Sequence, residues 1–169
     1  MLLLGSACYS EDVSTLYKIP AGEHYSVPRL VQTLDSDKLV FYAKFDETSQ
    51  YNGNSDINKL YGFSDCNSTI HTNSARFGWR RGKETGTVDI FTYTYCDSKM
   101  SHNFLTTVQI NRKYRYEIQL LSTKYVYNCN GATIEQPRCN DCTRGIYYIS
   151  QPFFGGNLPA PHTVTIEIH

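Results

Sequence analysis

The side chains best suited to chemistry in this chain are cations and aromatics that alternate along extended stretches. Arg76 and Arg80 flank Gly78 within 75–81, so in a strand both leave one face while Phe77 and Trp79 leave the other. Within 87–96, Asp89, Phe91, Tyr93 and Tyr95 share a face, opposite Val88, Ile90, Thr92 and Thr94. Within 114–121, Arg115, Glu117 and Gln119 oppose Tyr114, Tyr116, Ile118 and Leu120; within 39–45, Tyr42 and Lys44 oppose Leu39, Phe41, Ala43 and Phe45. Brought onto one sheet face, Tyr42, Lys44, Arg76, Arg80, Tyr93, Tyr95 and Arg115 would form a cationic, aromatic platform able to stack sugar rings and pair with uronate or sulfate groups. Burying Phe77, Trp79, Tyr116 and Ile118 must turn the arginines the other way. The pattern therefore predicts Arg76, Arg80 and Arg115 on one exposed face with Tyr93 beside them. The same residue types also serve as plain solubilising charge and cross-strand packing, and Trp79 is expected in the core.

The six cysteines, Cys8, Cys66, Cys96, Cys129, Cys139 and Cys142, point to an oxidising compartment. Cys139-Asn-Asp-Cys142 has the spacing of a redox pair or a zinc half-site, but no second Cys-x-x-Cys or His pair completes it and no βαβ pattern surrounds it. Disulfides joining the 129–142 cysteines to one another, or to Cys66 or Cys96, are expected instead. The start, 1–8, reads as a residual signal sequence of lipoprotein type, with small residues before Cys8 and a short leucine run. A lipid anchor at Cys8 would be the one route to a membrane, and residues 9–169 would form one domain. The run Asn52–Asn58 sets side-chain oxygens at every second residue, the spacing a calcium loop uses. It lacks the glycine and glutamate of an EF-hand, which leaves calcium a weak alternative to no cofactor. The five histidines are scattered, and no Ser/His/Asp, paired-carboxylate, phosphate-loop or nucleophile-elbow pattern is present.

These residues need strands to hold them, and the composition supplies them. Fourteen Tyr and eight Phe accompany only two Met, and 16 basic side chains balance 16 acidic ones, which leaves no field to hold nucleic acid. Period-two alternation recurs at 39–45, 75–81, 87–96, 104–110, 114–121, 124–128, 146–150 and 163–168. A strand roughly every ten residues predicts an all-β, antiparallel, jelly-roll-like sandwich of about 8–10 strands with little helix, its last strand paired back into a sheet. The connections 81–86, 97–103 and 111–113 read as hairpins. Three segments break the rhythm: 46–74, polar apart from the island 57–63; 129–145, with its cysteines; and 151–161, a Pro/Gly-rich shaped loop.

The phrases Asp56–Cys66, Asn73–Arg80 and Phe153–His162 resemble those of secreted proteins and lipoproteins of Bacteroidota type, over most of the chain from Ile19 onward. This resemblance implies an extracytoplasmic, secreted or outer-surface location. By analogy of architecture the strand count is also similar to the jelly-roll sandwiches of lectins, carbohydrate-binding modules and polysaccharide lyases, although the short motifs of the alginate-lyase jelly rolls are not matched. The expectation is a carbohydrate-binding or adhesive surface domain whose partner is an acidic glycan or cell-surface polymer. One alternative is a polysaccharide lyase acting on a uronate polymer, with Tyr93 or Tyr95 as base and Arg76 or Arg80 neutralising the carboxylate. Another is a self-assembling structural surface protein.

Overall fold

Eleven strands form in the computed structural model, which describes residues 13–53 and 56–169. The start 1–8, with Cys8, lies outside the described residues, as do Asn54 and Ser55 of the proposed calcium run. One antiparallel sheet takes the order β1 (Thr15–Ile19), β11 (Val164–Ile168), β2 (Lys38–Phe45), β7 (Lys113–Leu120), β8 (Lys124–Cys129), β9 (Ala132–Pro137). The other takes the order β10 (Ile149–Ser150), β3 (Asn58–Ser64), β4 (Ser74–Arg81), β5 (Thr87–Cys96), β6 (Lys99–Gln109). A single 3-10 turn at Glu47–Ser49 is the helical content among the described residues.

The two sheets close on an aromatic core, as the alternation dictates. Leu39, Phe41, Ala43, Phe45, Tyr116, Ile118, Tyr125 and Tyr127 face Ala75, Phe77, Trp79, Val88 and Ile90, all buried. Rings interlock across the gap: Phe77 meets Phe41, Tyr116 and Tyr127 edge-on at centroid distances of 5.9, 5.1 and 5.2 Å, and Phe45 lies 5.1 Å from Trp79. The terminal strand β11 pairs with both β1 and β2, as its pattern predicted.

Strand signals miss β1 and overreach at 146–150, of which only Ile149–Ser150 pairs as β10, and they fail in three further places, each for a physical reason. Segment 46–74 is not one long loop, because its apolar island is β3, buried along its whole length and therefore without alternation. The 97–103 connection is only the pair Asp97-Ser98, both left-handed (φ 48° and 65°). Met100–Asn103 extend β6, whose polar residues suit an edge strand. Within 129–145, Asn130-Gly131 (φ 51° and 80°) makes the two-residue hairpin between β8 and β9.

Two disulfides, Cys66–Cys142 and Cys96–Cys139, anchor the segment after β9 to the ends of β3 and β5. The Cys-x-x-Cys thiols thus go to different partners, which rules out a redox pair or zinc half-site there. Cys129 is free and buried, its thiol pushed up to about 12 by burial. A buried ion pair reinforces the anchor. Arg138 donates through Nε and Nη2 to the two oxygens of Asp65 at 2.7 and 2.9 Å and through Nη2 to the Cys142 carbonyl at 2.7 Å. Asp65 also accepts from the Tyr125 hydroxyl and the Cys66 amide. Replacing Arg138 by Met leaves a buried carboxylate without its cation and should cost about 3–5 kcal/mol of stability in urea unfolding. Mass mapping of the oxidised protein should find the two pairings above with Cys129 unpaired.

Candidate functional site

The outer face of the five-stranded sheet carries a cleft, and cross-strand register decides what lines it. Arg76 sits opposite Gly62 of β3 and Tyr93 of β5, and Tyr93 in turn sits opposite His102 of β6. The next rows are Gly78, Phe91 and Phe104, then Arg80, Asp89 and Thr107. A register shift between Lys59 and Gly62 sends Leu60, Tyr61 and Phe63 into the core and leaves Lys59 on the outer face. Gly62 is required at its position: a Cβ there would lie 2.2 Å from the Ala75 carbonyl oxygen and 2.7 Å from Cγ of Arg76.

The cleft encloses about 500 Å³, within the usual range for ligand sites. Lys59, Arg76, Tyr93 and Tyr95 line its sheet side; Tyr25, Arg29, Leu30 and 151–153 line its cover, with Ile70 and His71 at one end. The cover is sewn to β3, since Lys59 and Phe153 exchange backbone hydrogen bonds of 2.8 and 2.9 Å and Phe153 stands edge-on to Tyr25 at 5.0 Å. Asp56 Oδ2 accepts from the amides of Gly156 (3.2 Å) and Asn157 (3.1 Å), and the Asn58 amide group pairs with Tyr51 and Gly155. The described oxygens of the Asn52–Asn58 run therefore include two that hold the loop together. Among the described residues no cluster of three metal-ligating side chains occurs.

Three cations line the cleft: Arg29 on its cover, and Arg76 and Lys59 on its sheet side. Arg76 is 3 % exposed, and its Nε and Nη2 have no hydrogen-bond partner; its guanidinium lies over the rings of Tyr93 (5.0 Å) and Tyr95 (5.8 Å). Burial pulls its pKa down, an effect that the tyrosines at 93, 95 and 127 oppose. Lys59 donates to the Gly155 carbonyl at 2.9 Å and lies 4.7 Å from the Tyr93 ring and 5.6 Å from that of Phe153. Burial, and secondarily the charge of Arg76, draws it down to about 8. The Tyr93 hydroxyl is pushed up, mainly by burial and then by Tyr95, so it stays protonated at neutral pH. The His102 ring stacks over Tyr93 at 6.4 Å, and His71 stands edge-on to Tyr95 at 5.4 Å. Cationic N–H groups without partners, lined by aromatic faces, can receive an oxyanion and pack against a sugar ring.

The seven residues predicted to share a platform are split between the two sheets. Arg76, Arg80, Tyr93 and Tyr95 lie together on the five-stranded sheet. Tyr42, Lys44 and Arg115 lie on the far side of the sandwich, where Tyr42 pairs across strands with Arg115, Arg115 bonds Glu117 and Lys44 bonds Glu167. Alternation fixes which side chains leave the core, but not which of two sheets a strand joins, so it does not separate Tyr42, Lys44 and Arg115 from Arg76. Arg76 is also buried rather than exposed, and Phe91 and Tyr93 are covered, because Ile57 packs on them and Lys59 lies over Tyr93. Sequence reasoning missed Lys59, His102 and Phe153: the first hid in an apolar island, the second in a supposed turn. The Phe-Phe-Gly-Gly signature of 153–156 did mark a shaped loop, without revealing what it covers.

No family model matches the chain, and no curated protein matches it in sequence. Among solved structures it is similar to a family 7 alginate lyase A1-II′ in complex with product (GGG), at TM-score 0.59 and 12 % identity over 92 % of this chain and 77 % of that one. The same enzyme with substrate (GGMG) aligns at TM-score 0.59 and 13 % identity, over 92 % and 75 % of the two chains. The laminarinase catalytic domain from Thermotoga maritima aligns at TM-score 0.55 and 10 % identity, over 94 % and 76 %. At these identities the likeness establishes the fold, a jelly-roll sandwich.

The lowered Lys59 pKa has a signed consequence. Between pH 8 and the ordinary lysine range the unfolded chain holds a proton that the folded cleft releases. Folding therefore gains stability as pH rises through that window, by an amount on the order of 3 kcal/mol. Urea midpoints of wild type should rise from pH 7.5 to 9.5 relative to those of Lys59→Met, which lacks the group; parallel pH profiles would mean that Lys59 titrates normally.

Proposed function

We propose that this chain is an extracytoplasmic glycan-recognition domain whose cleft binds the acidic group of a uronate-containing or sulfated polysaccharide. The observation that carries this reading is Arg76, a buried guanidinium with two N–H edges unanswered in a cleft it shares with Lys59. A structure that needed only a folded sheet would place an apolar residue there, since burying a cation without a hydrogen-bond partner is costly. A carboxylate or sulfate bound in the cleft would set an opposite charge beside this guanidinium, with Lys59 adding a second positive charge. Tyr93, Tyr25 and Phe153 supply ring faces of the kind sugars pack against. Two further facts support the reading: the jelly-roll neighbours named above include an alginate lyase and a laminarinase, and the two disulfides suit an oxidising compartment.

A second reading, lyase activity on a uronate polymer, draws on the placing of His102 over Tyr93 beside Arg76. In a β-elimination, Arg76 would neutralise the carboxylate and so acidify the adjacent C5–H. A base takes that proton, the electron pair forms the C4=C5 double bond, the C4–O bond breaks, and the departing oxygen collects a proton. Tyr93, held protonated, suits the donor step better than the base role expected from sequence, and His102 is the neighbouring group able to accept the C5 proton.

A glycan array followed by calorimetry is the test. Wild type should bind acidic oligosaccharides in preference to neutral ones, more weakly above pH 8 as Lys59 loses its proton. Arg76→Met should weaken binding by about 1.5–3 kcal/mol, the scale of hydrogen bonds to charged groups, with a melting temperature equal to or above that of wild type. Indifference to ligand charge, or undiminished affinity in Arg76→Met, would overturn the proposal. Ultraviolet absorbance from new unsaturated uronate ends, lost in Tyr93→Phe, would add the lyase activity; stable binding without it leaves recognition alone.

A further inference from the structure

The cleft does not end at Arg76 and Lys59. A further space of about 300 Å³ shares Lys59, Tyr93, Gly156 and Asn157 with it and continues past His102 to Arg80. Arg80 also borders a third space of about 400 Å³, lined with Lys83, Glu84, Asp89, Phe104 and Thr107. Arg76 and Arg80 are four residues apart on one strand, roughly 13 Å, farther than one pyranose ring reaches.

The chemistry changes along this length. At the Arg76 end three cations, Arg29, Lys59 and Arg76, line the space, and the nearby carboxylate, Asp56, accepts from the loop amides of Gly156 and Asn157. At the other end the formal charges cancel: Arg80 Nε stands 3.8 Å from Asp89 Oδ2, Asp89 accepts from the Thr107 hydroxyl at 2.9 Å, and Lys83 and Glu84 line the space as one charge of each sign. A second acidic group here would meet the largely buried Asp89 carboxylate and Glu84. Phe104, 53 % exposed, borders this space and meets the buried Phe91 in an edge-on contact at 5.8 Å. An exposed aromatic ring beside a neutral Arg–Asp–Thr network suits an uncharged sugar: the ring packs against its C–H face, and the network donates to and accepts from its hydroxyls.

We infer that the groove holds a second subsite, built on Phe104, Arg80 and Asp89, for a neutral sugar, so that the ligand is an internal stretch of a heteropolymer alternating acidic and neutral residues. This inference rests on the acidic-glycan reading of the Arg76 end and extends it.

Calorimetry with two probes separates the two claims: oligouronates of alginate type, acidic at every residue, and length-matched hyaluronan-type oligosaccharides, which alternate a uronate with a neutral amino sugar. Wild type should bind the alternating ligand about tenfold more tightly, the worth of one good ring contact. Phe104→Ala, on an exposed edge strand, and Asp89→Asn should each bring the two affinities near parity, while Arg76→Met should weaken both ligands together. Equal affinities in wild type, or a preference that survives Phe104→Ala, would overturn the neutral subsite and leave the acidic one standing. Binding that depends on Phe104 but is indifferent to Arg76→Met would instead remove the acidic reading on which the inference rests. Failure of wild type to bind either probe or any other acidic glycan would remove both.

Discussion

A guanidinium buried in a sheet with donors unmet is the constraint around which the outer face of this sandwich is arranged. Arg76 cannot shed its charge at any physiological pH. The protein tolerates it by surrounding it with the partial negative charge of aromatic faces, those of Tyr93 and Tyr95, rather than with a carboxylate. That choice leaves two of its N–H groups without an acceptor inside the fold. A salt bridge would have satisfied the arginine and closed the site. The contrast with Arg138 is instructive: its side chain is also covered, but it is clamped bidentately by Asp65 and holds the disulfide-anchored segment in place. One arginine has its acidic partner inside the fold, and the other borders a cleft with no carboxylate bonded to it.

The sandwich makes this arrangement possible through local departures from regular strand geometry. The register shift in β3 brings Lys59 onto the face that Arg76 occupies, and Gly62 removes the side chain that would collide with the arginine stem. The 151–157 loop, too rich in Pro and Gly to pair as a long strand, bonds along β3 at Phe153 and roofs the space. Phe154, its neighbour, is buried against Trp79 and Tyr51, so the roof is pinned into the same aromatic core that joins the sheets. Site and core are thus coupled through one dipeptide.

The architecture was largely legible in sequence, because a half-buried strand must alternate and most strands here do. Phe77, Trp79, Tyr116 and Ile118 lie where alternation sends them. What could not be read was the partition of strands between sheets: β4 and β7 carry the same pattern of inward aromatics and outward arginines, and nothing local distinguishes them. Four of the seven residues expected to act together do share a face, while Tyr42, Lys44 and Arg115 stand on the opposite side. Burial of Arg76 was equally invisible, since it depends on a strand that reads as a loop and on a roof from the far end of the chain.

The claim that Arg76 receives an acidic group is tested most directly by following its own Nε–H resonance in a two-dimensional nitrogen–proton NMR spectrum, during titration with oligouronates and with length-matched neutral oligosaccharides. A saturable shift of that resonance with the acidic ligand alone, matching the calorimetric affinity, is the predicted result. Saturable binding of an acidic oligosaccharide that leaves the Arg76 Nε–H unmoved would contradict it.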